Sequence, residues 1–587
     1  DVQYVIGSIV PNRNGSKLGL SIAANGSESS ILLVINVKEK ELYPEEIPTC
    51  WGFSFAWLKD QNSFTYGKLN SDDVTDMNRQ LDTKVYHHKI GTDISNDKVV
   101  FSGKMFPELG ITSEEIPVLF YDKDSDQIFC YASTVERSEK IFVADKNDFN
   151  SGSLKWNKLV SRDDQIESLY TDSKNYYLMT PKGAPNYRIL KTPLENSDFG
   201  NAEVLIEENE DEVLKSFRIT SKGYYYTTVK AGVEAKVYRM SLDGKEVEEL
   251  DLPFVAGRAT LETKDVDHDE VWVNINGWTK KNERFKYFPE SKDFKEESLS
   301  SKVLYPEFDG FEVKEVMVPS HDGVKVPLSI VYNSDLKKDG DSPLMMYGYG
   351  SYGVSINPFF SPMFLTWVSE GGVIAIAHVR GGGELGKEWH KAGFKETKPN
   401  TWKDFIACAE YLHNEKYSSP EKTAIFGGSA GGILIGRAMT DRPDLFGVAI
   451  PAVGVMNALR TELEPNGPVN VPEFGSFKIE SEFKALVEMD AYLNIEDGTN
   501  YPSTMVTAGI NDPRVIAWQP GKFAARLQAA NSSNNPILFR VDYESGHGSD
   551  SKSKAFQEFG DIFSFAFWQT GHPSYQSIRK GDKSIDK

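Results

Sequence analysis

The chain has 587 residues, 40% of them apolar and 12% aromatic, which is enough for roughly three or four average domains or two large ones. Its 86 acids outnumber 65 bases, and a net charge of −21 excludes the basic footprint of a non-specific nucleic-acid binder. No apolar run approaches the ~18 residues of a membrane helix, and Cys50, Cys130 and Cys408 are neither a disulfide framework nor a zinc pattern.

The sequence opens at Asp1, without a methionine, directly on strand-like residues (Val2 to Val10). The N-terminus therefore reads as processed or trimmed, with any targeting signal lost alongside it. From there to about residue 300, short alternating apolar runs are separated by Asn, Asp, Gly, Ser and Lys turns, as in Val118 to Tyr121 followed by Gln127 to Tyr131. Leu242-Asp243-Gly244-Lys245 supplies hairpin chemistry between two such runs. Paired strand patterns begin near Ile6, Phe53, Val118, Ser168, Phe217 and Val266. The later spacings, about 50 residues, match the period of a four-stranded propeller blade. Asn70 to Gln80 lengthens the second interval and reads as an inserted loop. Lys84-Val85-Tyr86-His87, Asn186-Tyr187-Arg188-Ile189 and Lys236-Val237-Tyr238-Arg239 read as equivalent blade strands. Six blades are visible on this reading; an array of two-sheet sandwiches is the competing architecture.

From about Ser301 the texture changes. Val313 to Val318 and Pro327 to Val331 form a hairpin around His321-Asp322-Gly323. Leu344 to Met346, Val373 to Val379, Ala424 to Phe426, Val448 to Ile450 and Met505 to Thr507 read as buried strands. Helical stretches lie between them, such as Trp402 to His413, Ser481 to Glu488 and Lys522 to Ala530. Strands alternating with helices predict a mostly parallel sheet covered on both faces.

Phe426-Gly427-Gly428-Ser429-Ala430-Gly431-Gly432 joins one such strand to the helical run Ile433 to Met439 and contains Gly-x-Ser-x-Gly. A serine on that turn is held at a strand end beside the free N–H groups of a helix, which suits a nucleophile whose product is an oxyanion. An ordinary Gly-rich turn is the alternative. A serine needs a base and an acid to orient it, in the order Ser, Asp or Glu, His on this type of sheet. Only His547 and His572 lie downstream, and His547 sits in a Gly-bracketed loop after the strand Ile537 to Val541. Asp512 lies between, on a turn just past the strand ending at Ala508; Asp490 and Glu496 are weaker acids for the role. Gly381-Gly382-Gly383-Glu384-Leu385-Gly386 formally fits a dinucleotide fingerprint but lacks a ribose partner. Asp122, Asp124 and Asp126 read as a hairpin turn rather than a calcium loop, since Gln127 and Ser133 occupy its critical positions. No cofactor and no metal are expected.

Taken with Tyr347-Gly348-Tyr349-Gly350, Val379-Arg380-Gly381-Gly382-Gly383-Glu384 and Arg442-Pro443-Asp444-Leu445-Phe446-Gly447, these motifs make the chain resemble the prolyl oligopeptidase family of serine peptidases over most of residues 1 to 575. The resemblance implies a β-propeller of about seven blades (residues 1–300) followed by an α/β-hydrolase catalytic domain (301–587). It implies a triad of Ser429, Asp512 and His547, an oxyanion site from the Tyr349 hydroxyl and the Ala430 N–H, and Arg514 as the group that binds a substrate carbonyl. Tyr352, Val455, Phe474 and Val515 match apolar positions of the proline-accepting pocket. The propeller then covers the site and admits only short peptides. Two departures stand out. Asn470 falls where the family places a tryptophan that stacks on the substrate proline, worth on the order of 1 kcal/mol. The family's N-terminal arm of several dozen residues is also missing from the sequence.

The expectation is a soluble, monomeric serine oligopeptidase, cytoplasmic or periplasmic, that cleaves short peptides after proline and has no nucleic-acid or membrane partner. Cleavage after Arg or Lys is the near alternative, with Glu462, Glu464 and Glu473 as sources of charge. A non-catalytic propeller scaffold is the distant one, and a macrocyclase or esterase shares the same acyl chemistry.

Overall fold

The computed structural model describes residues 4–149, 154–195 and 197–576. Through residue 296 it is built of antiparallel sheets. Four sheets have four strands each, beginning at Ile116–Tyr121, Ser168–Thr171, Glu212–Thr220 and Arg258–Thr263. The residues before them form a nine-stranded sheet that divides into two further blades, bridged by the single pair Cys50↔Lys68. The described residues thus hold six blade units, as the repeat period predicts; the seventh suggested by the resemblance is not among them. Each blade folds where turn chemistry permits. Met240 pairs with Val247 across the Asp243-Gly244 loop, where Gly244 takes φ +72°. Lys84–Lys89, Arg188–Pro193 and Glu234–Met240 all occupy the third position of their blades, although Asn186 and Tyr187 precede their strand rather than belong to it. The insertion at Asn70 to Gln80 is a loop whose buried Arg79 donates through Nη2 to the Ser27 carbonyl at 2.9 Å. It thereby braces the turn after the strand Lys17–Ala24.

The second half is one eight-stranded sheet. The hairpin Phe311–Pro319 and Lys325–Asn333 forms its antiparallel edge. Val373–Ala377, Leu344–Tyr347, Thr423–Gly428, Val448–Ala452, Ser503–Gly509 and Ile537–Asp542 follow in parallel. Central strands buried on both faces read as unbroken apolar runs, and all five residues of Val373–Ala377 are buried. Helices Pro399–Asn414, Gly431–Asp441 and Trp518–Ala530 cover one face through Phe405, Leu434 and Phe523. Pro362–Ser369 and Lys552–Gln569 cover the other, where the rings of Trp367 and Phe567 stack 3.8 Å apart. The architecture is a β-propeller followed by an α/β-hydrolase sheet. Among the described residues, no helix is long and apolar enough to cross a membrane.

Candidate active site

Ser429 follows the strand Thr423–Gly428 at the carboxyl edge of the parallel sheet. It holds φ +58°, a left-handed conformation costing about 1–2 kcal/mol for a residue with a Cβ. Three hydrogen bonds fix that turn: its N–H donates to Ala452 (2.9 Å), and its carbonyl accepts from Gly432 (2.8 Å) and Val455 (2.9 Å). Gly432 is required by close approach, since a Cβ there would lie 2.6 Å from Gly454 Cα. The hydroxyl therefore stands beside the N-terminus of the helix Gly431–Asp441, next to the buried Ala430.

Asp512 and His547 follow the last two strands of the sheet, Ser503–Gly509 and Ile537–Asp542, with Val448–Ala452 lying between them and the serine's strand. Asp512 is 2% exposed. Its Oδ1 accepts the N–H groups of Arg514 (2.8 Å) and Val515 (2.9 Å), leaving Oδ2 for His547 Nδ1 at 2.7 Å. With Nδ1 donating, Nε2 of the ring is an acceptor. The histidine loop is shaped by Asp542 Oδ1, which takes the N–H groups of Glu544 and Ser545, and it is tied to the acid loop by Asn511 N–H donating to the Ser545 carbonyl. Among the described residues, no hydrogen bond joins Ser429 to the imidazole. The structure makes the acid–base half of the expected constellation and leaves the serine–base contact unmade.

Tyr349 lines the same cavity as the serine, near enough for Ser429 to influence its phenol. Burial pushes this phenol well above its ordinary range, and Tyr347 and Glu473 add to the rise, so it stays protonated and able to donate. Tyr352, at φ +58°, is held at both ends. Its N–H donates to Glu473 Oε1 (2.7 Å) and its hydroxyl to Asn470 Oδ1 (2.8 Å). Its ring meets Phe474 edge-on at 5.4 Å. Val455, Phe474 and Val515 are buried and, with Ser429, Tyr349, Tyr352, Asn470 and Arg514, line one cavity of about 660 Å³ between the propeller and the sheet. Sequence reasoning thus assembles one wall of this cavity.

It misses what supports that wall. Glu473 is buried; burial raises its pKa, but the His390 hydrogen bond (2.9 Å) and the charge of Lys398 outweigh this and hold it below the usual carboxylate range. Lys398, also buried, donates to the Gly350 carbonyl and to Ser351 Oγ (2.7 Å), and desolvation pulls its pKa down to about 8. From the propeller, Arg137 Nε donates to the Tyr352 carbonyl at 2.7 Å, and Glu28 forms an ion pair with Arg514. No local pattern marks these residues, because their partners lie far along the chain.

The prolyl oligopeptidase N-terminal beta-propeller model matches residues 1–292, and the prolyl oligopeptidase family model matches residues 358–573. A prolyl endopeptidase of Elizabethkingia meningoseptica is 31% identical over 574 residues, covering 96% of this chain and 79% of that protein. The dual function macrocyclase-peptidase POPB of Galerina marginata is 30% identical over 511 residues, 84% of this chain and 68% of its own. A solved prolyl endopeptidase superposes with a TM-score of 0.88 at 27% identity, over 97% of this chain and 82% of that one. Matched across both halves and along nearly its whole length, the chain belongs to the prolyl oligopeptidase family of serine-type endopeptidases.

Proposed function

We propose that this enzyme hydrolyses short peptides on the carboxyl side of proline through an acyl-enzyme, with residues 1–300 as the covering domain and 301–587 as the catalytic one. Ser429 Oγ attacks the carbonyl carbon while its proton passes to His547 Nε2. The imidazolium, paired with Asp512, returns that proton to the departing amine as the C–N bond breaks. Water then repeats the sequence on the ester. The Tyr349 hydroxyl and the Ala430 N–H hold the oxyanion, and Arg514 takes a substrate carbonyl on leaving Glu28. The observation that carries the reading is the 2.7 Å bond from His547 to a carboxylate already saturated on its other oxygen, at the strand ends beside a cavity containing Ser429.

Proline is favoured over arginine or lysine because two of the three candidate carboxylates are occupied. Glu462 is bound by Lys478, Ser476 and the Phe477 N–H, and Glu473 by His390 and Tyr352. Release from blocked Pro and Arg reporter peptides tests this: faster turnover of the Arg reporter overturns the proline reading. Failure of the protein to label with a serine-reactive phosphonate favours a scaffold instead.

A further inference from the structure

The cavity beside Ser429 has both apolar and polar side chains in its lining. Together with Tyr352, Phe474, Val455 and Val515, it is lined by Thr461, Glu464 and Gln519, which are 8%, 3% and 0% exposed. A carboxyl at that depth is ordinarily bound through both oxygens. Glu464 Oε1 accepts from Gln519 Nε2, which also reaches Thr461 Oγ1 at 3.4 Å, while the Gln519 carbonyl accepts the N–H groups of Met456 and Asn457 at 3.0 Å each. That amide is fully used. Glu464 Oε2 has no partner among the described residues and is left to the cavity. Asn470 does not satisfy it: its carbonyl holds the Tyr352 hydroxyl (2.8 Å) and its NH₂ the Asn466 carbonyl (2.7 Å).

We propose that Glu464 makes this pocket a reader of 4-hydroxyproline in the residue whose carbonyl is attacked. The inference rests on the proline reading above and deepens it. The 4-hydroxyl sits on the ring carbon farthest from the peptide backbone, so it is the group carried deepest between the apolar walls, toward Oε2. An unsubstituted ring strips water from Oε2 and returns nothing, whereas a hydroxyl, both donor and acceptor, restores the lost hydrogen bond. Burial pushes the Glu464 carboxyl up to about 8, so at neutral pH it is protonated and able to complement that hydroxyl in either sense.

The test compares kcat/KM for three blocked coumarin amides ending in proline, (4R)-hydroxyproline and (4R)-fluoroproline, using the full chain calibrated by phosphonate titration. The fluoro ring keeps the pucker and loses the donor. Hydroxyproline is expected to exceed proline by about tenfold or more, with fluoroproline close to proline. Glu464→Met brings the hydroxyproline-to-proline ratio to one or below, and Glu464→Gln keeps it above one. A wild-type ratio of one or less, a fluoro substrate as good as the hydroxyl one, or a ratio unmoved in Glu464→Met overturns the proposal. The fluoro comparison needs no variant and decides the matter even if Glu464→Met does not fold. Labelled enzyme silent on all three amides refutes the proline reading itself, a result distinct from proline turnover without hydroxyl preference.

Discussion

Arg514 Nε lies 2.8 Å from a carboxylate oxygen of Glu28, so the guanidinium that lines the serine's cavity from the hydrolase side is already engaged by the propeller. The two side chains are 57% and 37% exposed, which limits the pair to about 0–1 kcal/mol. If Arg514 must release Glu28 to take a substrate carbonyl, Glu28→Gln lowers KM for a short Pro peptide up to about fivefold and flattens its dependence on salt. An unchanged KM across a salt series, measured on both proteins, argues that the pair plays no part in binding.

Tyr349→Phe removes the hydroxyl of a ring that lines the serine's cavity while keeping the ring itself. Loss of one oxyanion donor costs about 10²–10³ in kcat. Initial rates are expected to show that fall with KM nearly constant; a rise in KM at constant kcat assigns Tyr349 to ground-state binding instead.

Asp512→Asn keeps the shape of the turn but no longer accepts on both sides as a carboxylate. Expected kcat falls about 10⁴-fold, and phosphonate labelling of Ser429 slows in parallel. A variant labelled at the wild-type rate places the orienting acid elsewhere, Asp490 being the next candidate to mutate.

Glu464 links the pocket to stability. Its pKa rises from 4.5 to about 8 in the fold, first through burial and then through the charge of Asp512, with the Gln519 hydrogen bond opposing. Between those two values the folded protein keeps a proton that the unfolded chain has released, so stability declines as pH rises through that window, by at most about 1.4 kcal/mol per unit. Urea melts at pH 5 and pH 8 are expected to converge in Glu464→Gln relative to wild type. Equal pH dependence in both proteins removes Glu464 from the balance.

Gly26, in the turn after the propeller strand Lys17–Ala24, has φ +67°, and a Cβ there would fall 2.2 Å from the Gly546 nitrogen, beside His547. Gly26→Ala is expected to lose about 1–2 kcal/mol to backbone strain and to slow phosphonate labelling by displacing the histidine loop. Normal labelling kinetics in a destabilised variant separate the strain from the site.

Much of this is legible along the chain because the relevant constraints are local. Glycines around Ser429 report a turn that tolerates no Cβ, and Asp512 and His547 each sit a few residues past a strand end, where side chains of a parallel sheet converge. The six blades show as a period. What stays hidden is pairing at long range. Arg137 meets Tyr352, and Glu28 meets Arg514, across intervals that no window spans. Gln519 looks like any polar residue in the first turn of a helix until the fold places its amide between Met456 and Glu464. The distance from Ser429 to the imidazole depends on how two loops settle together, which residue types do not encode.

The touching backbones of Gly26 and Gly546, with Asn511 Nδ2 donating to the Asn25 carbonyl at 3.3 Å, bring the rim of a blade against the loops that carry His547 and Asp512. Separating the two halves would remove the backbone surface against which the loop carrying His547 packs. The seam between the halves is thus also the scaffold of the histidine loop, and a change made on the propeller side reaches the neighbourhood of His547 without touching the hydrolase sheet.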